Sequence, residues 1–190
     1  MWQLKNKCSH MKNLALFTII IISFISCKTQ NAVSKSSTPF HAYQTSYDTK
    51  GRKVLRGLIS RADIQNDTSF NWFNKNYKLG KPDADAVAAF KQHTNDFQML
   101  IFAGTWCPDT QNLLPQFYRL TDAAGYADSS ITLIGVDNAK TTFDNLNKTF
   151  HLVDVPTFIV MKNGKEVGRV VEYGESGEAM KELGKIVSTL

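Results

Sequence analysis

The sequence predicts an α/β domain built on a mixed central sheet, and two observations carry that expectation. Short, nearly continuous apolar runs recur at residues 97–103 (FQMLIFA), 131–136 (ITLIGV) and 156–162 (PTFIVMK), which is how strands buried on both faces of a sheet read. Segments with helical spacing separate the runs, so strand and helix alternate along the chain. After the third run, Asn163-Gly164 signals a tight hairpin turn into one more extended segment, which makes the last two strands antiparallel.

Taken in order, Val54-Leu55 and Leu58-Ile59 predict an edge strand, and Phe70, Trp72, Phe73 and Tyr77 predict a helix with an aromatic face. Residues 85–93 are helical in composition and would cover one face of the sheet. The run 97–103 is the first buried strand. From 107 to 124, Leu113, Leu114, Phe117, Leu120 and Ala124 fall on one helical stripe. Pro115 lies inside that stripe and is expected to kink the helix rather than end it, because the periodicity continues. The second strand, 131–136, ends at Asp137, and 142–150 reads as helix. The third strand and its hairpin partner span 156–173, and 178–190 is a final amphipathic helix. The strand–helix–strand unit is expected to cross over right-handedly into a parallel pair.

The first 27 residues stand apart. Lys12 and Asn13 precede an uncharged apolar run of twelve residues, 14–25. A membrane span needs roughly 17–25 residues, so this length suits a signal-peptide core instead. The run closes on Phe24-Ile25-Ser26-Cys27, which resembles the lipobox of bacterial lipoproteins. Phe24 stands where that family most often has Leu, and Met11 would give a more ordinary start than Met1. The resemblance implies lipidation of Cys27, attachment to a membrane through that lipid, and a domain facing the periplasm of the cell envelope. Lys28 follows Cys27 without the aspartate that often retains such proteins at the inner membrane. An uncleaved anchor is the alternative, and it exports the domain as well. Residues 28–50 are rich in Ser, Thr, Gln and Asn and read as a flexible tether with a reach on the order of 25 Å. Residues 51–190 then form one domain, long enough to bury one good core.

Processing at Cys27 removes Lys5, Lys7 and Lys12 and no acid, so the net charge of +5 falls to +2. No basic run and no interleaving of aromatic with basic residues argues for nucleic acid. His93 and His151 show no metal spacing with Cys107, so no metal and no cofactor is expected. Gly125, Gly164 and Gly174 read as turns rather than as a phosphate loop. Of the three cysteines, Cys8 is lost and Cys27 is lipidated, which leaves Cys107 as the one free thiol and excludes an intramolecular disulfide.

Cys107 is the candidate catalytic residue. It sits in Phe102-Ala-Gly-Thr-Trp-Cys-Pro-Asp-Thr110, after a strand and at the opening of a helix. Unpaired N–H groups and the positive end of a helix dipole at such a junction favour the thiolate, the nucleophile of disulfide chemistry. Trp106-Cys107-Pro108, the internal Pro115, Val155-Pro156-Thr157 and the Asn-Gly hairpin resemble the thioredoxin family in order and spacing, over about residues 84–190. The nearest likeness is to exported thioredoxin-like lipoproteins of bacteria. The resemblance implies a thioredoxin-like three-layer α/β/α sandwich. It also implies a cis bond before Pro156, close to the sulfur, with the Val155 backbone offered to a substrate strand.

Two positions depart from the family pattern. Thr110 replaces the resolving cysteine, and Ile101 stands where ordinary thioredoxins bury an acid that assists proton transfer to it. Around the thiol, Trp106 is expected to wall the site. Asp109 either complements the helix dipole or repels a thiolate. Thr110 either satisfies a backbone group or donates its hydroxyl to the sulfur.

The expected function is a single-thiol, thioredoxin-like oxidoreductase of the cell envelope. Cys107 would form mixed disulfides with exported proteins or small-molecule thiols and disulfides, and an external reducing thiol would resolve them. A non-catalytic binding module using Val155, Pro156 and Trp106 is the first alternative. A thiol peroxidase is the second. Against it, Phe102 occupies the place of the asparagine of glutathione peroxidases, and Gly104 that of the threonine of peroxiredoxins.

Overall fold

A computed structural model describes residues 42–190. The expected signal peptide, Cys27 and the expected tether up to residue 41 lie outside the described residues. Six strands form one sheet: β1 (Tyr43–Tyr47), β2 (Lys53–Ile59), β3 (Gln98–Ala103), β4 (Ile131–Gly135), β5 (Thr157–Lys162) and β6 (Lys165–Val171), in the order β1-β2-β4-β3-β5-β6. The central pair β3–β4 is parallel, as the crossover requires, and every other pairing is antiparallel. The sheet is thus mixed, with helices on both faces, and the fold is a thioredoxin-like α/β/α sandwich.

The expected tether is corrected at its end. Residues 43–47 form β1, whose Tyr43 packs against the core and donates its hydroxyl to Asp63 (3.1 Å). β1 therefore takes the edge position assigned above to Val54–Ile59, and β2 lies inside it, between β1 and β4.

The helices are α1 (Arg61–Gln65), α2 (Trp72–Leu79), α3 (Ala84–Gln92), α4 (Pro108–Ala124), α5 (Leu146–Thr149) and α6 (Ala179–Val187). Local chemistry sets their ends. Ser60 and Asp63 form a reciprocal capping box on α1, and the Asp83 carboxylate accepts from Ala86 N–H at the start of α3. Pro108 opens α4, where its missing N–H costs nothing, and Gly125 closes it at φ +70°. α4 runs on through Pro115, as the periodicity predicts. The helix expected over 142–150 is shorter than its composition suggests. Asp144 and Asn145 both take φ +53°, which breaks the segment into a 3-10 turn and the single turn of α5.

The two faces of the sheet are covered unequally. Leu55, Met99, Ile101, Leu133, Phe158 and Val170 face a core closed by α2, α3, α4 and α6, with Phe73, Phe90, Leu114, Phe117 and Leu183 buried in it. On the other face Leu100, Phe102, Ile134 and Ile159 form a smaller cluster with Cys107, Val136 and Val155, against which Trp106, Leu146, Phe150 and Leu152 pack. Ile101, at the position of the family's buried acid, is a fully buried core side chain. Arg61 anchors α1 to α4 through a two-pronged bond to Asp122 (2.8 Å each) and lies over the Tyr118 ring. These contacts fix α4, and α4 fixes the thiol.

Candidate functional site

The site forms where β3 ends. Its last residue, Ala103, stands level with Gly135 of β4, and the chain then turns through Gly104, Thr105 and Trp106 into α4. Cys107 is the N-cap of α4, in extended conformation, and its own side chain makes no cap bond. The residue is only 8% exposed, and its thiol donates to the Val155 carbonyl at 3.1 Å. The Val155–Pro156 bond is cis. Cys107, Val155 and Pro156, three candidates from distant parts of the sequence, are thereby brought together.

The remaining candidates surround them. Trp106 walls the site: its indole N–H donates to the Val136 carbonyl (3.1 Å), and a Cβ on Gly104 would stand 2.8 Å from the ring. That close approach accounts for glycine at 104. Pro108 is exposed at the first helical position. Asp109 lies half-buried in the first turn of α4, where a carboxylate complements the dipole. Thr110 does not reach for the sulfur. It is fully buried, and its hydroxyl accepts the N–H of Gly104 (3.3 Å). The residue in the resolving position thus fastens the loop that carries Cys107.

Several residues hold the site in ways the sequence does not signal, although Gln111 stands out for following the Cys-x-x-Thr spacing, faintly similar to glutathione peroxidases. Gln111 donates its amide to the Thr105 carbonyl (3.0 Å), and Asn76 of α2 donates to the Gln111 carbonyl (2.8 Å). The Thr105 hydroxyl donates to the Lys53 carbonyl (2.9 Å) and accepts from Leu55 N–H (3.3 Å). Arg52 donates to the Trp106 carbonyl at 2.6 Å. These partners lie 35 to 54 residues away in sequence, apart from the Gln111–Thr105 bond, and Arg52 is brought into reach by strand β2, which it precedes and which pairs with β4. At the other flank, Glu172 N–H donates to the Pro156 carbonyl (2.7 Å). Burial, then the charges of Asp154 and Asp109, push the Glu172 carboxyl above its usual range, while Lys140, ion-paired to Asp154, pulls the other way. Among the described residues, no group of three His, Cys, Asp or Glu side chains is placed to hold a metal ion.

A mixed sheet, a cysteine at a helix N-terminus after the central strand, and a cis proline facing its sulfur define a thioredoxin-fold protein with a single thiol in its site. The family comparison agrees on the fold. The thioredoxin family model matches residues 56–187, well over half of the chain, and the chain belongs to that family. Thioredoxin H2-2 of Oryza sativa subsp. japonica is 33% identical over 84 residues, which is 44% of this chain and 58% of that protein. Thioredoxin H2 of Arabidopsis thaliana is 26% identical over 99 residues, 52% of this chain and 66% of that one. The chain therefore spans 58% to 66% of the length of these relatives. Among solved structures, a thioredoxin of Schistosoma mansoni is 28% identical with a TM-score of 0.37, over 57% of this chain and 92% of its own. Mitochondrial thioredoxin 3 of Saccharomyces cerevisiae gives 19% and 0.38, over 60% and 99%.

Proposed function

We propose that the protein is a thiol–disulfide oxidoreductase that works through the single thiol of Cys107. The observation that carries this reading is the contact between the Cys107 sulfur and the Val155 carbonyl beside Pro156. It sets a nucleophile at a helix start against a stretch of backbone able to pair with an extended substrate. Deprotonated Cys107 attacks one sulfur of a substrate disulfide. A Cys107–substrate disulfide forms, the substrate S–S bond breaks, and the second substrate sulfur leaves as a thiolate that takes up a proton. With Thr110 in the resolving position, release requires an external thiolate. That thiolate attacks the substrate sulfur of the mixed disulfide, leaving with the substrate as a new disulfide and returning Cys107 as thiolate. No cofactor takes part.

The substrates in this reading are exported proteins or small thiol adducts. Its place is the cell envelope, with the domain held to a membrane through lipid on Cys27. The test uses the full-length chain carrying Cys8→Ser and Cys27→Ser, with a disulfide-bonded peptide. Wild type is expected to form a peptide adduct at Cys107, detected by mass, that added thiol reverses. Cys107→Ser forms none. Equal reductase activity in wild type and Cys107→Ser would sink the reading. One observation favours the second reading, a docking module without chemistry: the sulfur is buried and already bonded to Val155. On that reading Cys107→Ala keeps full affinity for a peptide that wild type binds without forming a covalent adduct.

A further inference from the structure

The hairpin of β1 and β2 reaches past the end of the central strands. Gly57 is level with Gly135, and Gly135 with Ala103, so Lys53 to Arg56 continue beyond the sheet centre and stand alongside the Trp106–Cys107 loop. At the tip, the Asp48 carboxylate gathers the N–H groups of Lys50 and Arg52 (2.9 Å each) and two nitrogens of the Arg52 guanidinium, Nε at 2.7 Å and Nη2 at 2.6 Å. The third nitrogen, Nη1, donates to the Trp106 carbonyl at 2.6 Å. The Asp48 side chain is 6% exposed and that of Arg52 35%. A planar guanidinium bonded along one side to a carboxylate and at its far nitrogen to a carbonyl is a rigid strut, a geometry that a lysine ammonium cannot reproduce. The carbonyl at its end belongs to the peptide that joins Trp106 to Cys107.

Resting on the single-thiol reading above, we propose that Arg52, braced by Asp48, is a positioning residue for Cys107. It holds the Trp106–Cys107 peptide so that the sulfur faces Val155, and the Asp48–Arg52 pair, with its positive end toward the loop, sets the charge that an approaching reagent meets. The two halves of the pair then act with opposite sign. Without Arg52 the nearby Asp48 charge is uncompensated, and without Asp48 the guanidinium charge is.

The experiment uses the full-length chain carrying Cys8→Ser and Cys27→Ser, which leaves Cys107 as its only cysteine. Second-order rates at Cys107 are measured at low ionic strength with neutral iodoacetamide and with anionic iodoacetate. Their ratio cancels the thiolate fraction and reads local charge alone. Arg52→Gln is expected to lower the iodoacetate-to-iodoacetamide ratio about threefold, and Asp48→Asn to raise it by a similar factor, both effects shrinking in high salt. Arg52→Gln is also expected to slow exchange with a disulfide peptide, and Arg52→Lys restores the ratio but not that exchange rate, because it returns the charge without the strut. If both variants shift the ratio in the same direction, or neither shifts it, the assignment is overturned, since a merely structural contact would act alike in the two. Should wild-type Cys107 form no mixed disulfide at all, the single-thiol reading fails, while the alkylation ratio still decides whether Arg52 and Asp48 set the charge at the sulfur.

Discussion

Replacing Thr110 by valine removes one hydroxyl and almost nothing else, which isolates the bond that ties α4 to the loop before Cys107. The valine fills the same space, and the Gly104 N–H, buried and bonded to Thr110 at 3.3 Å, loses its acceptor. A net hydrogen bond contributes about 0.5–1.5 kcal/mol, and a buried donor left without a partner costs about 1–3 kcal/mol. The bond is slightly longer than the usual range, so the lower part applies, and Thr110→Val should lose about 1–2 kcal/mol. Thr110→Ser keeps the hydroxyl and gives up one buried methyl, about 1 kcal/mol. Thr110→Ala gives up both and should lose about 2–3 kcal/mol. Urea unfolding at neutral pH reads the series, and with a slope of about 1–3 kcal/mol/M the valine midpoint should drop by about 0.3–2 M. A valine variant as stable as wild type, or more stable than the serine variant, would refute a fastening role for the hydroxyl. Thr110→Cys completes the series on the chemical side. It offers an internal thiol, so peptide adducts at Cys107 should resolve without added thiol.

Gly184 lies inside α6 with Ala86 of α3 against it, and an added Cβ would stand 2.6 Å from the Ala86 Cα. The Gly184→Ala gain in helix propensity, about 1 kcal/mol, is then outweighed by overpacking of about 1–3 kcal/mol, and thermal unfolding should show a lower Tm. Acid should act through the aspartates. The Arg61 hydrogen bond, against burial, holds the Asp122 carboxyl below its usual range, and at Asp48 the Arg52 and Lys50 N–H groups and the Arg52 guanidinium outweigh burial to the same end. Both contribute stability above the unfolded carboxylate range, lost as pH falls through the lower folded values. The urea midpoint should therefore hold near neutrality and fall below about pH 4, with a shallower fall in Asp122→Asn. Glu172 has the opposite sign. Its folded carboxyl is raised, by burial first and then by Asp154 and Asp109, so its charge opposes folding at neutral pH, and Glu172→Gln should raise the Tm there and do so less at acid pH.

The buried strands were readable because burial on both faces writes an uninterrupted apolar run, as in residues 97–103. The hairpin was readable because Asn163 and Gly164 both take positive φ, which those residue types tolerate. Cys107 and Pro156 could be paired in advance because their sequence surroundings resemble a family pattern. β1 was missed for the reverse reason. Tyr-Gln-Thr-Ser-Tyr pairs along one edge only and is mostly exposed, so its composition matches a solvated tether. The broken helix at 143–149 was misjudged because composition does not report the left-handed turn at Asp144 and Asn145. Arg52 was invisible because it acts on a backbone carbonyl 54 residues away, and a side chain that bonds to backbone leaves no complementary residue type to notice.

The fastening of the Trp106–Cys107 loop also bears on how the thiol can be uncovered. Strand β2, helix α4 and the end of β4 each hold one group of that loop, helix α2 holds α4 beside it through Asn76 and the Gln111 carbonyl, and the same elements close the main core. No single one can let go without loosening the others, so the segment has no private opening motion available to it. On the single-thiol reading, the folded protein offers the sulfur at its Val155–Pro156 side, and only a reagent too bulky for that approach needs cooperative unfolding of the domain. Labelling of Cys107 by such a bulky reagent across a urea series should therefore rise in one step, coincident with the loss of helical circular dichroism, while small reagents and extended peptides react with the folded protein.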